Sequence, residues 1–77
     1  MTTTMNHLVA ERIREEMATR GVSVKELADA TGLARMTLTR RLTGNSPFTL
    51  AELDALSTHF GTTADRLMAA ARKAGAA

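Results

Sequence analysis

The chain has 77 residues, 44% of them hydrophobic, a formal net charge of +2 and no cysteine. This length fits one small domain, which buries roughly 60% of the surface of its unfolded chain and has no room for a deep catalytic cavity. The lack of cysteine excludes disulfides and thiolate metal sites. The N-terminus lacks the basic and apolar regions of a signal peptide, and the longest apolar run, residues 67–71, is too short to cross a bilayer. We therefore expect a cytoplasmic, all-α protein that does not interact with a membrane.

The first predicted helix runs from about Met5 to Arg20, after a flexible tail of residues 1–5. Its apolar stripe recurs every four positions and consists of Val9, Ile13 and Met17. Most of its acidic and basic residues lie off that stripe, which predicts a solvated, ion-paired face. Gly21 follows the last turn, as a glycine just past a helix end usually does.

A second helix, over about residues 23–31, opens with a Ser-x-x-Glu pattern. In this capping box the side chains of Ser23 and Glu26 each accept a hydrogen bond from the free backbone N–H of the other residue. Leu27 faces the core, and Gly32 ends the helix in a tight turn.

A third helix spans about residues 34–43, with Leu38 and Leu42 one turn apart on its buried side. Residues 44–47 form a turn by composition, and Pro47 prevents the helix from continuing through it.

The fourth predicted helix begins with a second capping box, Thr49 and Glu52. Its apolar stripe consists of Leu50, Leu53, Leu56 and Phe60. Phe48 before the box and Leu53 at the fourth helical position form a hydrophobic staple, and Gly61 closes the helix.

The fifth helix starts near Thr63, where Asp65 is favourably placed at the positive end of the helix dipole. Residues 69–77 are expected to form a C-terminal extension that frays or takes part in a dimer. The sequence thus predicts five short helices around one core, with the folded domain covering residues 6–68.

The third helix concentrates positive charge. No acidic residue lies between Asp29 and Glu52, whereas acids and bases are interleaved elsewhere, and this stretch carries Arg35, Arg40 and Arg41. Positive charge on one short element favours binding to a polyanion. A helix, a glycine turn and a basic helix are the layout of a helix-turn-helix motif that binds DNA.

Arg35 is the most informative residue of this helix. A positive charge in the first turn opposes the helix dipole and costs roughly a few tenths of a kcal/mol, so stability does not explain it. In the major groove a guanidinium pairs with O6 and N7 of guanine. The alternative is a solvated arginine without a role. For Met36 the two alternatives are packing against a thymine methyl group and lying on the surface without a role.

These features resemble the lambda-repressor/Cro-like helix-turn-helix family, also called XRE-like. The resemblance covers about Leu8 to Met68 and implies a five-helix, lambda-repressor-like domain that binds double-stranded DNA. It rests on Leu27-Ala28, Gly32-Leu33, Arg35, Leu38 and Gly44, and then on Leu53, Leu56, Phe60-Gly61 and Leu67.

The resemblance also implies which residues touch DNA. Base contacts are expected from Arg35, Met36, Thr39 and Arg40. Phosphate contacts are expected from Ser23, Lys25, Arg41 and Asn45, and for Arg41 a solvated side chain is an equal alternative. Two positions depart from the family. Val24 stands where a glutamine is frequent, and Ala34, a poor N-cap, stands where serine or threonine is frequent.

The predicted function is a sequence-specific transcriptional regulator, a small Cro-like or phage-type repressor that occupies an operator through the major groove. A homodimer with half-sites roughly 34 Å apart is expected, joined through Leu67, Met68 and residues 69–71. No cofactor, metal or small-molecule ligand is implied, and no nucleophile–base pair indicates an enzyme. The alternative is a protein-interaction module on the same fold, an antitoxin or a phage protein that binds a host factor, with only nonspecific DNA affinity.

Overall fold

The computed structural model describes residues 4–76, and five α-helices make up most of this range. In chain order they are α1 (Met5–Arg20), α2 (Val24–Thr31), α3 (Arg35–Leu42), α4 (Leu50–His59) and α5 (Ala64–Ala76). No strand occurs between residues 4 and 76. The predicted all-α class and the order of five helices are confirmed. Within this range no helix combines the length and the apolar character that a membrane span requires.

The N-terminal tail is shorter than the sequence predicted. Thr4 is the N-cap of α1, where its side chain accepts a hydrogen bond from the backbone N–H of His7, and Met5 is the first helical residue. The rest of the predicted tail, residues 1–3, lies outside the described range, as does Ala77.

The core lies where the five helices meet. Its buried members are Val9, Ile13, Met17, Leu27, Ala28, Leu38, Leu42, Leu53, Leu56, Phe60, Leu67 and Ala71. The stripe predicted for α1 is therefore confirmed as buried. α1 packs along α5 and also contacts α3, while α2 contacts both α3 and α4. As a result α3 is supported by α1 and α2 and keeps one side free.

Hydrogen bonds at the helix N-termini follow the sequence closely, with one difference. At α4 the Thr49 hydroxyl accepts from the Glu52 N–H at 3.1 Å, and the Glu52 carboxylate accepts from the Thr49 N–H at 2.8 Å, which confirms the capping box. At α2 Ser23 Oγ accepts from the Glu26 N–H at 3.1 Å. The Glu26 carboxylate, however, accepts from the Ser23 hydroxyl at 3.3 Å and not from its backbone. The reciprocal half of this box was wrongly predicted.

Leu50 is the exception in the predicted stripe of α4, because it is 73% exposed. It is the first residue of the helix, and beside it Phe48 packs against the core. The other three stripe residues are buried as predicted: Leu53, Leu56 and Phe60. Leu50 lines a surface depression between the starts of α4 and α5, together with Ala51 and Asp54.

The C-terminal extension differs from the prediction. α5 continues through it to Ala76 instead of fraying from Ala69 onward. Alanine is the strongest helix former, and Ala71 is fully buried against the core. A Cβ added to Gly75 would stand 2.5 Å from Leu8 Cδ1, so the end of α5 lies very close to the start of α1.

This packing also changes the surface available for a dimer. Leu67 is 3% exposed and Ala71 is fully buried within the protein itself. These two of the residues expected at the dimer contact are therefore used by the core, and Met68 is partly buried against it.

Candidate nucleic-acid interface

α3 presents an apolar side to the core and a basic side to solvent. Leu38 is fully buried and Leu42 is 7% exposed. The exposed residues of the helix are Arg35, Met36, Thr39 and Arg40. The structure thus brings the four predicted base-contact residues together on the outer side of one helix.

The first turn of α3 has no side-chain cap, and its first two residues are exposed. Ala34 is its N-cap and gives no side-chain hydrogen bond, as its poor capping ability predicted. Arg35 and Met36 line an open depression with Thr39, and Met36 is 85% exposed. Neither Arg35 nor Arg40 has an ion-pair partner within residues 4–76. The turn therefore offers charge and apolar surface that the protein leaves unused.

Ser23 and Lys25 lie at the start of α2. Ser23 is exposed, but its hydroxyl is already engaged with Glu26 as the N-cap. Lys25 is exposed and has no ion-pair partner in the described part of the chain. Of these two predicted phosphate contacts, Lys25 has the freer side chain.

Asn45 occupies the turn that follows α3 and is exposed. Its backbone N–H donates to Thr43 Oγ1 at 3.3 Å, so its side-chain amide is the group left for a phosphate. Gly44 beside it has φ 83° and is buried, and an added Cβ would stand 2.6 Å from Cδ2 of His7. Both the backbone conformation and the close approach of α1 require glycine here.

Arg41 is placed differently from the other predicted contacts. Its side chain is 20% exposed and its Nε lies 2.7 Å from Oε1 of Glu52. Its Nη1 donates to the carbonyl of Pro47 at 3.1 Å. The alternative that Arg41 is merely solvated is therefore wrong, because the side chain is enclosed and ion-paired.

The sequence matches the family described as the Cro/C1-type helix-turn-helix DNA-binding domain over residues 12–70. This match covers most of the chain, from α1 into α5. The chain belongs to this family. The crystal structure of the clp gene regulator ClgR from Corynebacterium glutamicum has the same fold, with a TM-score of 0.89 at 18% identity, over 99% of this chain and 81% of that one. No curated protein matches the sequence significantly.

Family membership confirms the resemblance seen in the sequence and makes this chain a DNA-binding domain of the Cro/C1 type. The family is described by DNA binding and not by a reaction. The individual DNA contacts remain predictions, and their support is the placement of each side chain.

Two arginines of α1 in this protein donate hydrogen bonds that the sequence did not indicate. Arg14 donates through Nη1 to the carbonyl of Leu42, at the C-terminal end of α3. Arg20 donates through Nη2 to the carbonyl of Phe60 at 2.8 Å, at the end of α4, and its guanidinium lies 5.4 Å from the centre of the Phe60 ring. These partners lie 28 and 40 residues away in sequence, so no local pattern signals them.

Proposed function

We propose that this protein is a sequence-specific transcriptional regulator that represses by occupying its operator with α3 in the major groove. The observation that carries the proposal is the outer side of α3. There Arg35 and Arg40 are exposed and unpaired within residues 4–76, and no acidic residue lies between Asp29 and Glu52.

Each exposed residue of α3 suits one kind of base contact. Arg35 and Arg40 have the paired donors that match O6 and N7 of guanine. Met36 carries an apolar end that fits a thymine methyl group, and Thr39 has a hydroxyl for a base edge or a phosphate. α3 thus supplies both polar and apolar readout.

Contacts to phosphate position the domain without reading sequence. Lys25 precedes α3 in the chain and Asn45 follows it, and both are exposed. The Ser23 hydroxyl lies at the N-terminus of α2. A helix N-terminus attracts phosphate through its free N–H groups and its dipole. A domain seated in this way on a promoter would block polymerase, as a Cro-like or phage-type repressor does.

The regulator would act as a homodimer, because a domain of this size gains specificity by binding two half-sites roughly 34 Å apart. With Leu67 buried, Leu50 offers the main exposed apolar side chain outside α3. The depression that it lines also contains Asp54 and Asp65. A second copy bound here would bring like charges together, so we expect salt to strengthen the dimer. Sedimentation of the parent and Leu50→Lys at low and high salt tests this contact.

Selection of bound sequences from a random duplex library tests the function. Enrichment of a palindromic motif that persists at physiological salt is expected, with half-site spacing read from the same data. Arg35→Ala should lose the preference at one base pair. Arg72→Ala, an exposed arginine of α5, should keep it, because α5 does not pack on α3. An unenriched pool whose binding disappears with salt would favour the protein-interaction module instead.

A further inference from the structure

Arg41 differs from the other arginines of α3 in having two partners inside the protein. Its Nε lies 2.7 Å from Glu52 Oε1, at an angle that gives an ion pair without an aligned hydrogen bond. Its Nη1 donates to the Pro47 carbonyl at 3.1 Å. The guanidinium is thus held by the turn and by α4, and only 20% of the side chain is exposed.

Glu52 is as enclosed as Arg41, with 12% of its side chain exposed. The oxygen that meets Arg41 also accepts the N–H of Thr49 at 2.8 Å in the capping box of α4. One carboxylate oxygen therefore joins the recognition helix to the first turn of the next helix. Removing either charge would leave the other one desolvated and unpaired, which is unfavourable.

The segment between α3 and α4, residues 43–49, lies between the two members of this pair in the chain. Its first half has its own supports, since Thr43 accepts from the Asn45 N–H and Gly44 rests on His7. Its second half is held through Pro47 and the start of α4. Asn45 lies between these two sets of supports, so the position of its exposed side chain depends on both of them.

A phosphate contact by Arg41 is unfavourable in this arrangement. A phosphate that met the guanidinium in this position would also approach the Glu52 carboxylate, which lies 2.7 Å from Arg41 Nε, and the two anions would repel each other. Together Arg41 and Glu52 carry no net charge, so the intact pair releases no counterion from DNA.

We propose that Arg41 is a positioning residue for DNA binding. Its pair with Glu52 fixes the turn that carries Asn45, and Arg41 does not itself neutralise a phosphate. This inference rests on the DNA binding proposed above.

The test is the salt dependence of affinity for the parent, Arg41→Met and Glu52→Gln. Methionine keeps the apolar stem of Arg41, and glutamine keeps an oxygen for the Thr49 N–H while removing the charge that holds Arg41. A side chain that neutralises one phosphate contributes about 0.9 to the slope of log affinity against log salt. Lys25→Ala provides the reference for that loss.

We expect both variants to bind roughly tenfold more weakly at each salt concentration, because each breaks the enclosed ion pair that anchors the turn, with the slope unchanged. Glu52→Gln is the sharper variant, because it raises the net charge and should still weaken binding. If Arg41 contacts phosphate, Glu52→Gln would instead bind more tightly with a steeper slope, and Arg41→Met would lose about 0.9 of slope. That pair of results would overturn the proposal.

Two readouts separate this inference from the proposed function. The slopes are measured on a selected site and on random duplex, so a protein without sequence preference still reports whether Arg41 meets phosphate. A double-mutant cycle in thermal unfolding, with Arg41→Met, Glu52→Gln and the double variant, measures the pair without DNA. Coupling between the two residues is expected, and additive effects would show that the ion pair does not hold the turn.

Discussion

α1 and α3 each carry three arginines, but the two helices use them differently. All three in α1 are engaged within the protein: Arg12 with Glu15 and Glu16, Arg14 with the Leu42 carbonyl, and Arg20 with Glu16 and the Phe60 carbonyl. In α3 only Arg41 is engaged in this way. The number of arginines therefore does not locate a DNA-binding surface. What distinguishes the two helices is the charge that the folded protein leaves without an ion-pair partner within residues 4–76.

The neighbouring acids explain this difference. α1 places Glu15 and Glu16 within one helical turn of Arg12, so its charges pair locally. α3 contains no acid, and its one ion pair comes from α4. Exposed pairs such as those of α1 contribute little to stability, whereas the unpaired charges of α3 remain available to a polyanion.

The largest effect is expected on the inner side of α3, where Leu38 is fully buried. Leu38→Ala should lower the free energy of unfolding by about 2–5 kcal/mol, because it removes core contacts and leaves a cavity. Met36→Ala, at an 85% exposed position of the same helix, should change it by less than about 0.5 kcal/mol. Urea unfolding measures both. Equal losses would contradict the division of α3 into an inner and an outer side.

The contact between Gly44 and His7 joins the turn after α3 to α1. Gly44→Ala should destabilise the protein by about 1–3 kcal/mol, because alanine is strained at a φ of 83° and its Cβ would meet the His7 ring. In the double variant with His7→Ala the ring contact is removed, while the backbone strain and the 3.1 Å approach to the His7 Cα remain, so part of the loss should return. Thermal unfolding of the single and double variants separates the two causes, and no recovery would show that the close approach costs nothing.

The exposed charge of α3 should act on binding alone. Arg35→Ala is expected to weaken binding to the preferred sequence by about 1–3 kcal/mol and to relax the preference at one base pair. Its free energy of unfolding should remain within about 0.5 kcal/mol of the parent. Fluorescence anisotropy with matched and mismatched duplexes measures the effect. If Arg35→Ala binds every duplex as tightly as the parent protein does, the recognition face has been assigned to the wrong side of the helix.

The engaged arginines of α1 should show the opposite result. Arg20→Ala is expected to lower the free energy of unfolding by about 1 kcal/mol, since the Phe60 carbonyl loses its donor and the ring loses a cation above it. Affinity for DNA should stay unchanged while the protein is folded. Arg72→Ala on α5 is the charge-matched control for both measurements. A specific loss of DNA affinity in Arg20→Ala would place α1 at the interface and break the comparison with α3.

Much of the candidate site follows from the sequence because the relevant patterns are local. The capping box of Thr49 and Glu52 joins residues three positions apart, and the buried leucines recur within four positions. The glycines just past the helix ends are equally local signals. The charge of the third helix is read directly from its residues. Local patterns were therefore sufficient to predict the five helices, the family and the set of residues on the outer side of α3.

The partners of Arg14, Arg20 and Arg41 were decided by tertiary structure. Each of these side chains meets a group supplied by another helix or by the following turn, so its partner depends on how the helices pack. The same holds for Leu50, which has the spacing of a core residue but lies at a helix start that no other helix covers. Sequence determined which residues carry charge and apolar surface in this protein. Packing determined which of them stay exposed and unpaired within residues 4–76, because long-range contacts form only when distant segments meet.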